Sequence, residues 1–326
     1  MPELPASVIA TVLNEAEDIP RLVESLLRLD PAAAEIVIVD GGSRDGTWEF
    51  LHAAAQKHST LRVIRDETCS LKFTPGPVSK GRNVAIAAAS TDLIACADAG
   101  CTYPRDWLAN ITAPLRSGQA EYVIGGSCLA PEDATVWDYA SAPFLGVKLS
   151  PLVPDRSCAA RSIAFTRQLW RQIGGFSEKI LLSEDTLFYA EARKHTPIAL
   201  APARALYHPR NSFRSACRQL GRYALGDGIL GARRSRLMRN AARCVAEIAA
   251  LAALPWTWIP LAVVAALEFY FAFERDWLFP RTLKPGVVLA RLAYALMVPW
   301  VVTSWYLKGL LTKANPTTNA QNASSR

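Results

Sequence analysis

EIVIVDGGSRDGT, residues 35–47 of this 326-residue chain, combines the sequence signals of a strand, a tight turn and a helix. Its apolar half predicts a short strand that stops at Asp40, and its glycine-rich half predicts a tight turn that opens a helix. Ligands of open α/β sheets bind outside the carboxyl ends of the strands, so Asp40 is expected at a nucleotide-binding edge. The segment matches neither the dinucleotide fingerprint G-x-G-x-x-G nor the triphosphate loop G-x-x-x-x-G-K-[ST]. An ordinary strand-to-helix turn, with Ser43 and Asp45 capping the helix, explains the same residues equally well.

Strands and helices alternate on both sides of this segment. The pattern predicts strand 7–13, helix 14–29, strand 36–39, helix 47–57, a strand from Leu61, helix 84–89 after the loop TPGPVSKGRN, and strand 92–97. The last of these strands ends at a second aspartate, Asp98. Regular alternation of this kind predicts an α/β fold with a mainly parallel sheet.

The carboxyl-terminal part of the chain is apolar. Residues 248–267 form an uncharged stretch of the length that a helix needs to cross a bilayer, and residues 287–307 are a second candidate that contains Arg291. Both segments carry aromatic residues that suit the membrane interface. A pair of buried core helices is the alternative, and Pro255 and Pro260 leave a kinked or re-entrant hairpin open.

Charge and cysteine content further limit the classes of protein to which this chain can belong. The net charge is +7, and ten arginines but one acid, Asp227, lie between Arg204 and Arg243, before the first apolar segment. Basic segments beside membrane helices stay on the cytoplasmic side and attract anionic lipid headgroups. Nucleic-acid binding would explain the arginines but not the apolar segments, so no nucleic-acid partner is expected. The first residues lack a basic secretory start, so we expect the amino-terminal domain in the cytosol. Seven cysteines without a C-x-x-C pair predict reduced thiols and no zinc site.

Two further groups of acids are candidates for chemistry. Asp98 is expected at the same sheet edge as Asp40, where a divalent cation bridges a carboxylate and a diphosphate; a plain turn into a helix at Pro104 is the alternative. Glu184 and Asp185 begin a predicted helix that Ser183 can cap. One of the two acids suits a general base, and stabilisation by the helix dipole explains them equally well.

Five motifs in this order resemble the family 2 glycosyltransferases of the GT-A fold. The resemblance spans roughly residues 7–208, and the motifs read NEAEDIPRLVESL, EIVIVDGGSRDGT, KGRN, ADAGC and GGFSEKILLSED. The resemblance implies a Rossmann-like, mainly parallel sheet, a nucleoside-diphosphate sugar as donor, with uridine diphosphate favoured, and inverting transfer.

The resemblance also assigns roles to individual residues. Asp40 matches the acid that contacts the base or ribose of the donor, and Asn14 and Glu15 lie in the first motif, on the donor side. Asp98 matches the first acid of the D-x-D motif, which implies Mg²⁺ or Mn²⁺. The third position is Gly100 instead of aspartate, so the ion would rest on one carboxylate, the diphosphate and water. Asp185 matches the catalytic base, with Glu184 beside it.

Four basic or aromatic positions are weaker candidates. Lys80 and Arg82, on the predicted loop after the third strand, suit a diphosphate, and an exposed basic loop is the alternative. His208 lies where some relatives place a metal-binding histidine, although a lone histidine is more often structural. QLGRY, which contains Arg222, resembles the Q-x-x-R-W motif of processive synthases, and an amphipathic juxtamembrane helix explains it as well.

These patterns combine into one organisation and one function. We expect a GT-A domain over 1–210, a basic helical region over 211–244, two membrane helices over 245–311 and a disordered tail over 312–326. The chain is predicted to transfer a sugar to a lipid-linked or saccharide acceptor at the inner membrane, with its catalytic domain on the cytoplasmic face. A polyprenyl-phosphate sugar synthase and a catalytically degenerate membrane-anchored scaffold are the alternatives.

Overall fold

The protein consists of two compact units. The computed structural model describes residues 5–149, 158–209, 211–273 and 284–314. The sheet unit comprises Met1–Ala130 and Ser150–His208, and the helical unit comprises Pro131–Leu149 and Pro209–Arg326. The expected domain bounds stay predictions, and residues 131–149, which fall inside the expected amino-terminal domain, pack with the carboxyl-terminal helices.

The sheet unit alternates strands and helices. Its elements are β1 (Ala6–Val12), α1 (Ile19–Leu27), β2 (Glu35–Asp40), α2 (Thr47–Lys57), β3 (Leu61–Arg65), α3 (Pro77–Ala88), β4 (Leu93–Cys96), β5 (Cys101–Thr102), α4 (Trp107–Arg116), β6 (Tyr122–Ile124) and β7 (Ser127–Leu129). After α5 (Val136–Leu145), which belongs to the helical unit, come β8 (Ile163–Thr166), α6 (Arg167–Ile173), α7 (Glu184–Ala192), β9 (Ile198–Leu200) and β10 (Ala205–Tyr207).

The strands form a seven-stranded sheet of order β3-β2-β1-β4-β8-β6-β9 and a three-stranded sheet of order β5-β10-β7. Strands β1 to β4 pair in parallel, and β8 runs antiparallel to both of its neighbours. Alternate residues of β1 enter different hydrophobic cores, Val8 on one face of the sheet and Ile9 on the other. The predicted α/β fold is confirmed, and burial on both faces explains why these strands read as continuous apolar runs.

Parallel pairing brings the ends of β2 and β4 to one edge. Asp40 is paired with Val12 at the end of β1, and the amide of Ala97 donates to the carbonyl of Ile9, also on β1. Asp98 follows Ala97, so both aspartates lie at the carboxyl edge of the sheet, as the sequence predicts.

Helix α3 corrects the prediction of a basic loop. It begins at Pro77, with Gly76 as its N-cap, and not at residue 84. Proline suits the first turn of a helix because its missing N–H has no partner there in any case. Lys80 and Arg82 therefore lie on a helix, and the Arg82 side chain is buried.

The helical unit contains α5 together with α8 (Phe213–Leu230), α9 (Arg234–Ala253), α10 (Ile259–Phe273) and α11 (Pro285–Ala314). Its core joins Ala216, Leu220 and Ala224 of α8 to Tyr294 and Val298 of α11. Arg222 lies on the opposite, exposed side of α8, which fits the amphipathic helix expected around QLGRY.

The membrane prediction is partly wrong. Residues 248–267 do not form one helix, because α9 ends at Ala253 and α10 begins at Ile259. Pro255 has no N–H to continue the ladder of α9. Among the described residues, one helix, Pro285–Thr312, is long and apolar enough to cross a membrane, and it contains the predicted segment 287–307. The expected disorder of the tail falls mostly outside the described residues.

Candidate active site

Asp40 is fully buried at the end of β2, and its partner is Ser43. Both the amide and the hydroxyl of Ser43 donate to the Asp40 carboxylate. Ser43 Oγ in turn accepts a hydrogen bond of 2.8 Å from the amide of Asn14. The predicted helix-capping role of Ser43 is wrong, because Gly46 is the N-cap of α2 and has a left-handed φ of 99°. Ser43 instead fixes the orientation of the Asp40 carboxylate.

The loop after β1 is attached to the same turn. The amide of Glu15 donates to Thr47 Oγ1 at 2.8 Å, and Asn14 Oδ1 accepts from the amide of Arg44 at 3.0 Å. Asp45 bridges the two segments, since its Oδ2 accepts from Ala16 and its Oδ1 from Thr47. Asn14 and Glu15 are thereby held beside the Asp40 turn.

Glu15 is an unusual carboxylate. Its partial burial and the neighbouring acids Asp18, Asp98 and Asp45 raise its pKa from 4.5 to about 7. An acid with this pKa changes charge near neutral pH, and its interaction with Asp98 links the first motif to the second aspartate of the edge.

Asp98 lies in a tight turn after β4. Its carbonyl accepts from the amide of Cys101 at 3.2 Å, and its own amide donates to Tyr103 Oη at 2.9 Å. The Tyr103 hydroxyl donates to the carbonyl of Arg161 at 2.8 Å. The Asp98 side chain is 37% exposed, so the turn holds the backbone rigidly and leaves the carboxylate accessible.

Arg82 connects the two groups of acids. It donates to Glu184 Oε1 at 2.7 Å and to Asp98 Oδ1 at 3.4 Å, and its guanidinium lies 5.5 Å above the ring centre of Phe176. Its side chain is only 4% exposed, against 15% for Glu184. A buried arginine thus stands between the DAGC turn and the start of α7.

Glu184 and Asp185 form the first residues of α7. The preceding Ser183 has a left-handed φ of 66° and makes no side-chain cap, which corrects its predicted capping role. The Asp185 carboxylate instead accepts from the amide of Thr186 at 2.6 Å. Burial and the charge of Glu184 raise the pKa of Asp185, and Arg82 opposes the rise. Asp185 is consequently a stronger base than an exposed aspartate.

The KGRN motif acts through Asn83 as well as Arg82. Asn83 Nδ2 donates to the carbonyl of Phe176 at 2.8 Å and to Glu178 Oε1 at 2.9 Å, and its Oδ1 accepts from the amide of Phe176 at 2.9 Å. These bonds attach α3 to the GGFSE segment, which precedes the acids of α7.

The predicted metal ligand His208 lies beside the turn that carries the other predicted ligand, Asp98. The amide of His208 donates to the carbonyl of Gly100 at 2.9 Å. However, His208 Nε2 lies 2.9 Å from Thr102 Oγ1, and among the described residues no group of three His, Cys, Asp or Glu side chains could hold a metal ion. A Cβ added at Gly100 would make ordinary contact with the Tyr207 ring, 3.5 Å away, so the position accepts a side chain.

Two predicted phosphate ligands lie elsewhere. Lys80 is two residues from Arg82 on α3 and therefore on another side of the helix. There its charge adds to the hydrogen bonds from Thr68, which are the main reason that the pKa of Asp66 is lowered. Arg222 belongs to the helical unit and is exposed. Their roles in donor binding stay predictions.

Arg161 is a residue that the sequence analysis missed. Its guanidinium lies 4.2 Å above the Tyr207 ring, and its charge works against the raised pKa of Asp185. It also faces Tyr103 through its carbonyl. Nothing in the surrounding sequence CAARS marks it, because its importance depends on contacts with three distant segments.

The family assignment follows from the chain's own sequence. A family model described as Glycosyl transferase family 2 matches residues 7–175, slightly more than half of the chain. The chain belongs to glycosyl transferase family 2. The matched range includes the Asp40 turn, α3 and the DAGC turn, and it ends before Glu184 and Asp185.

Relatives of this chain share modest sequence identity with it. Glycosyltransferase AglE of Haloferax volcanii is 23% identical over 211 residues, which cover 61% of this chain and 67% of AglE. The succinoglycan biosynthesis protein ExoA of Rhizobium meliloti is 31% identical over 123 residues, 36% of this chain and 34% of ExoA. The chain therefore spans about a third of the length of this polysaccharide-biosynthesis relative.

Solved structures of similar fold agree with the assignment of the chain to family 2. The mannosyltransferase PcManGT from Pyrobaculum calidifontis, in complex with GDP-Man and Mn²⁺, has a TM-score of 0.53 and 17% identity over 96% of this chain and 88% of its own. S. aureus TarS 1-349, in complex with UDP-GlcNAc, has a TM-score of 0.50 and 17% identity over 96% and 92%. Identities this low establish the GT-A fold alone.

Proposed function

We propose that this family 2 protein transfers a sugar, with inversion, from a nucleoside-diphosphate sugar to a membrane-proximal acceptor. Uridine diphosphate is the nucleotide we favour. The observation that carries the proposal is the link that Arg82 makes between Asp98 and Glu184, because it joins the candidate diphosphate site to the acid beside the candidate base, Asp185.

The buried end of β2 supports donor recognition. Asp40 is anchored by Ser43 and is flanked by the Asn14–Glu15 loop, so it offers a fixed acceptor to the hydroxyls of a ribose or to the N–H of a base. TarS and PcManGT bind UDP-GlcNAc and GDP-Man respectively, and both have this fold. A nucleotide sugar bound in this way would extend from Asp40 towards Asp98 along the sheet edge.

The proposed chemistry is a single displacement at the anomeric carbon. Asp185 takes the proton of the acceptor hydroxyl, the acceptor oxygen forms its bond to the sugar carbon, and the bond from that carbon to the diphosphate oxygen breaks with its electron pair leaving on the nucleoside diphosphate. The raised pKa of Asp185 favours proton abstraction near neutral pH. Arg82 stabilises the ionised acids and lies beside the charge that develops on the leaving group.

A divalent cation fits the proposed site with few protein ligands. Asp98 is partly exposed, and magnesium is commonly bound by one or two carboxylates together with substrate phosphates. Asp98 would hold Mg²⁺ or Mn²⁺ with the diphosphate, and the ion supplies positive charge on the leaving group when it is bound. His208 would join this set through Nε2 only after giving up its contact with Thr102.

The acceptor is proposed from the helical unit. One helix of this unit, Pro285–Thr312, is long and apolar enough to cross a membrane. Ten arginines lie between Arg204 and Arg243, before that helix in the sequence. A lipid-linked or saccharide acceptor at the cytoplasmic face of the inner membrane fits such an anchor. The match to ExoA, a succinoglycan biosynthesis protein, supports a role in polysaccharide or glycolipid synthesis.

Release of free nucleoside diphosphate from a panel of donors, with and without Mg²⁺ or Mn²⁺, tests the proposal. We expect release from one donor, strongly enhanced by a metal ion, and loss of that release in Asp98→Ala. If a donor binds but no nucleoside diphosphate is released with any acceptor extract, the proposal is contradicted and the scaffold alternative is favoured. Transfer only to a polyprenyl phosphate would identify the synthase alternative instead.

A further inference from the structure

The central part of the apolar helix α11 is fixed to a polar helix. Tyr294 Oη donates to the carbonyl of Ala216 at 2.9 Å, and Tyr306 Oη donates to that of Ala232 at 2.7 Å. Between these points the two backbones touch, since a Cβ added at Gly228 would lie 2.3 Å from the Tyr306 carbonyl oxygen. Helix α8 therefore runs beside α11 and must share its surroundings.

Helix α8 does not suit the interior of a bilayer. Arg214, Arg218 and Arg222 are exposed and recur every fourth residue, so they form one basic side of the helix. Asp227, near its end, is buried and pairs with Arg236 at 3.2 Å. An α11 that crossed the bilayer would carry these arginines into hydrocarbon, where charged side chains are costly. The tight contact with α8 thus argues that α11 does not cross.

The hairpin of α9 and α10 is apolar towards its tip, but this apolar part is too short to span a bilayer. Arg243 and Glu268 form an ion pair that joins the two helices, with 2.8 Å between Nε and Oε1. From this pair to the break after Ala253 each helix rises about 15 Å, roughly half of the ~30 Å hydrocarbon core. Beyond the pair, exposed apolar side chains cover the hairpin, and Trp256 and Trp258 at its tip are 83% and 70% exposed.

Charge favours an anionic lipid surface as the partner of this hairpin. Arg233, Arg234 and Arg239, at the start of α9, are all exposed, and no acid lies between Asp227 and Glu247. Basic residues next to an apolar segment are attracted to anionic headgroups while the apolar part enters the acyl region.

We propose that the helical unit is monotopic: the α9–α10 hairpin enters one leaflet of an anionic phospholipid bilayer, and neither the hairpin nor α11 crosses it. This inference replaces the two predicted spans and is independent of the transferase reaction.

Labelling with a membrane-impermeant maleimide tests the topology. The full chain, with the partly exposed Cys158 and Cys217 replaced by serine, receives one new cysteine: Lys284→Cys before α11, a cysteine added after Arg326, or the control Ser117→Cys in the sheet unit. In membranes of a bacterial expression host we expect all three to react in inverted vesicles and none in right-side-out vesicles. Reaction of the added terminal cysteine, or of Lys284→Cys, only in right-side-out vesicles would overturn the proposal.

Flotation with vesicles tests the lipid partner. The full chain is expected to float with phosphatidylcholine vesicles that contain phosphatidylglycerol, and far less with phosphatidylcholine alone. Arg234→Gln with Arg239→Gln should weaken this partition about twenty-five-fold, because each basic residue near an anionic surface contributes roughly fivefold. The matched double variant Arg28→Gln with Arg62→Gln, exposed in the sheet unit, should float like the original chain. Equal flotation of the two double variants would refute the proposed surface.

Discussion

Replacing Arg82 by methionine tests the link between the two acidic segments. Methionine keeps an apolar stem against the Phe176 ring but removes the charge that faces Glu184 and Asp98. Loss of one partner from a buried ion pair costs about 3–5 kcal/mol. The pair with Glu184, at 2.7 Å, falls in this class, whereas the contact with the more exposed Asp98, at 3.4 Å, is screened by solvent and adds little.

We therefore expect Arg82→Met to lower the free energy of unfolding by about 3 kcal/mol, which corresponds to a fall in Tm of about 6–12 °C for a unit of this size. The control is Arg62→Met, an exposed arginine with one hydrogen bond to the Ala88 carbonyl, and it should change the free energy of unfolding by less than about 0.5 kcal/mol. Thermal and denaturant unfolding of both variants measure the difference.

A double-mutant cycle assigns the loss to the pair itself. Glu184→Gln removes the other charge, so the double variant should lose clearly less than the sum of the two single variants, with a coupling energy above about 1 kcal/mol. Additive losses, or an Arg82→Met variant as stable as Arg62→Met, would refute the reasoning. Arg82→Met should also raise the pKa of Asp185 further and move the acidic limb of the activity profile to higher pH.

Three further predictions concern the same edge of the sheet. Gly100→Asp should fold normally, since the new Cβ makes only ordinary contact with Tyr207, and should tighten Mn²⁺ binding in the presence of donor about tenfold; calorimetry showing no gain would contradict a metal at Asp98. Folding raises the pKa of Glu15, so the contribution of Glu15 to stability is fully present below pH 4.5 and is lost as the pH rises to about 7. Glu15→Gln should therefore remove this part of the pH dependence of Tm. Tyr103→Phe leaves the Asp98 amide and the Arg161 carbonyl without their shared partner and should cost about 1–3 kcal/mol in denaturant unfolding; an unchanged midpoint would show that water replaces the hydroxyl.

The sheet and its two edge aspartates could be predicted because they depend on local patterns. The apolar runs of β1, β2 and β4 are interrupted by helices, so parallel pairing was the simplest arrangement, and parallel pairing places Asp40 and Asp98 together. The antiparallel β8, inserted between β4 and β6, has no comparable local signal because its neighbours are distant in sequence.

The role of Arg82 could not be predicted from the sequence. Its contact with Glu184 joins residues 102 positions apart, and no periodic pattern encodes such a pair. The start of α3 could have been recognised, because Pro77 after Gly76 is a common helix opening. The position of Arg161 above Tyr207 likewise depends on strands that meet only in the folded chain.

The membrane prediction was less accurate than the prediction of the sheet, because hydropathy does not indicate where a helix ends. Residues 248–267 are apolar throughout, and Pro255 nevertheless divides them between α9 and α10. Hydropathy also does not reveal that α11, apolar by itself, is fixed beside the arginines of α8.

Asp185 is proposed to be the base of a sugar-transfer reaction at this site. The most direct measurement compares turnover and donor affinity in Asp185→Asn and in the original chain, with the donor and metal found in the panel. We predict that kcat falls about 10²–10⁴-fold, the usual contribution of a positioned general base, while the Kd for the donor stays within a factor of about three. Turnover that survives the substitution, or a loss explained entirely by weaker donor binding, would contradict the claim.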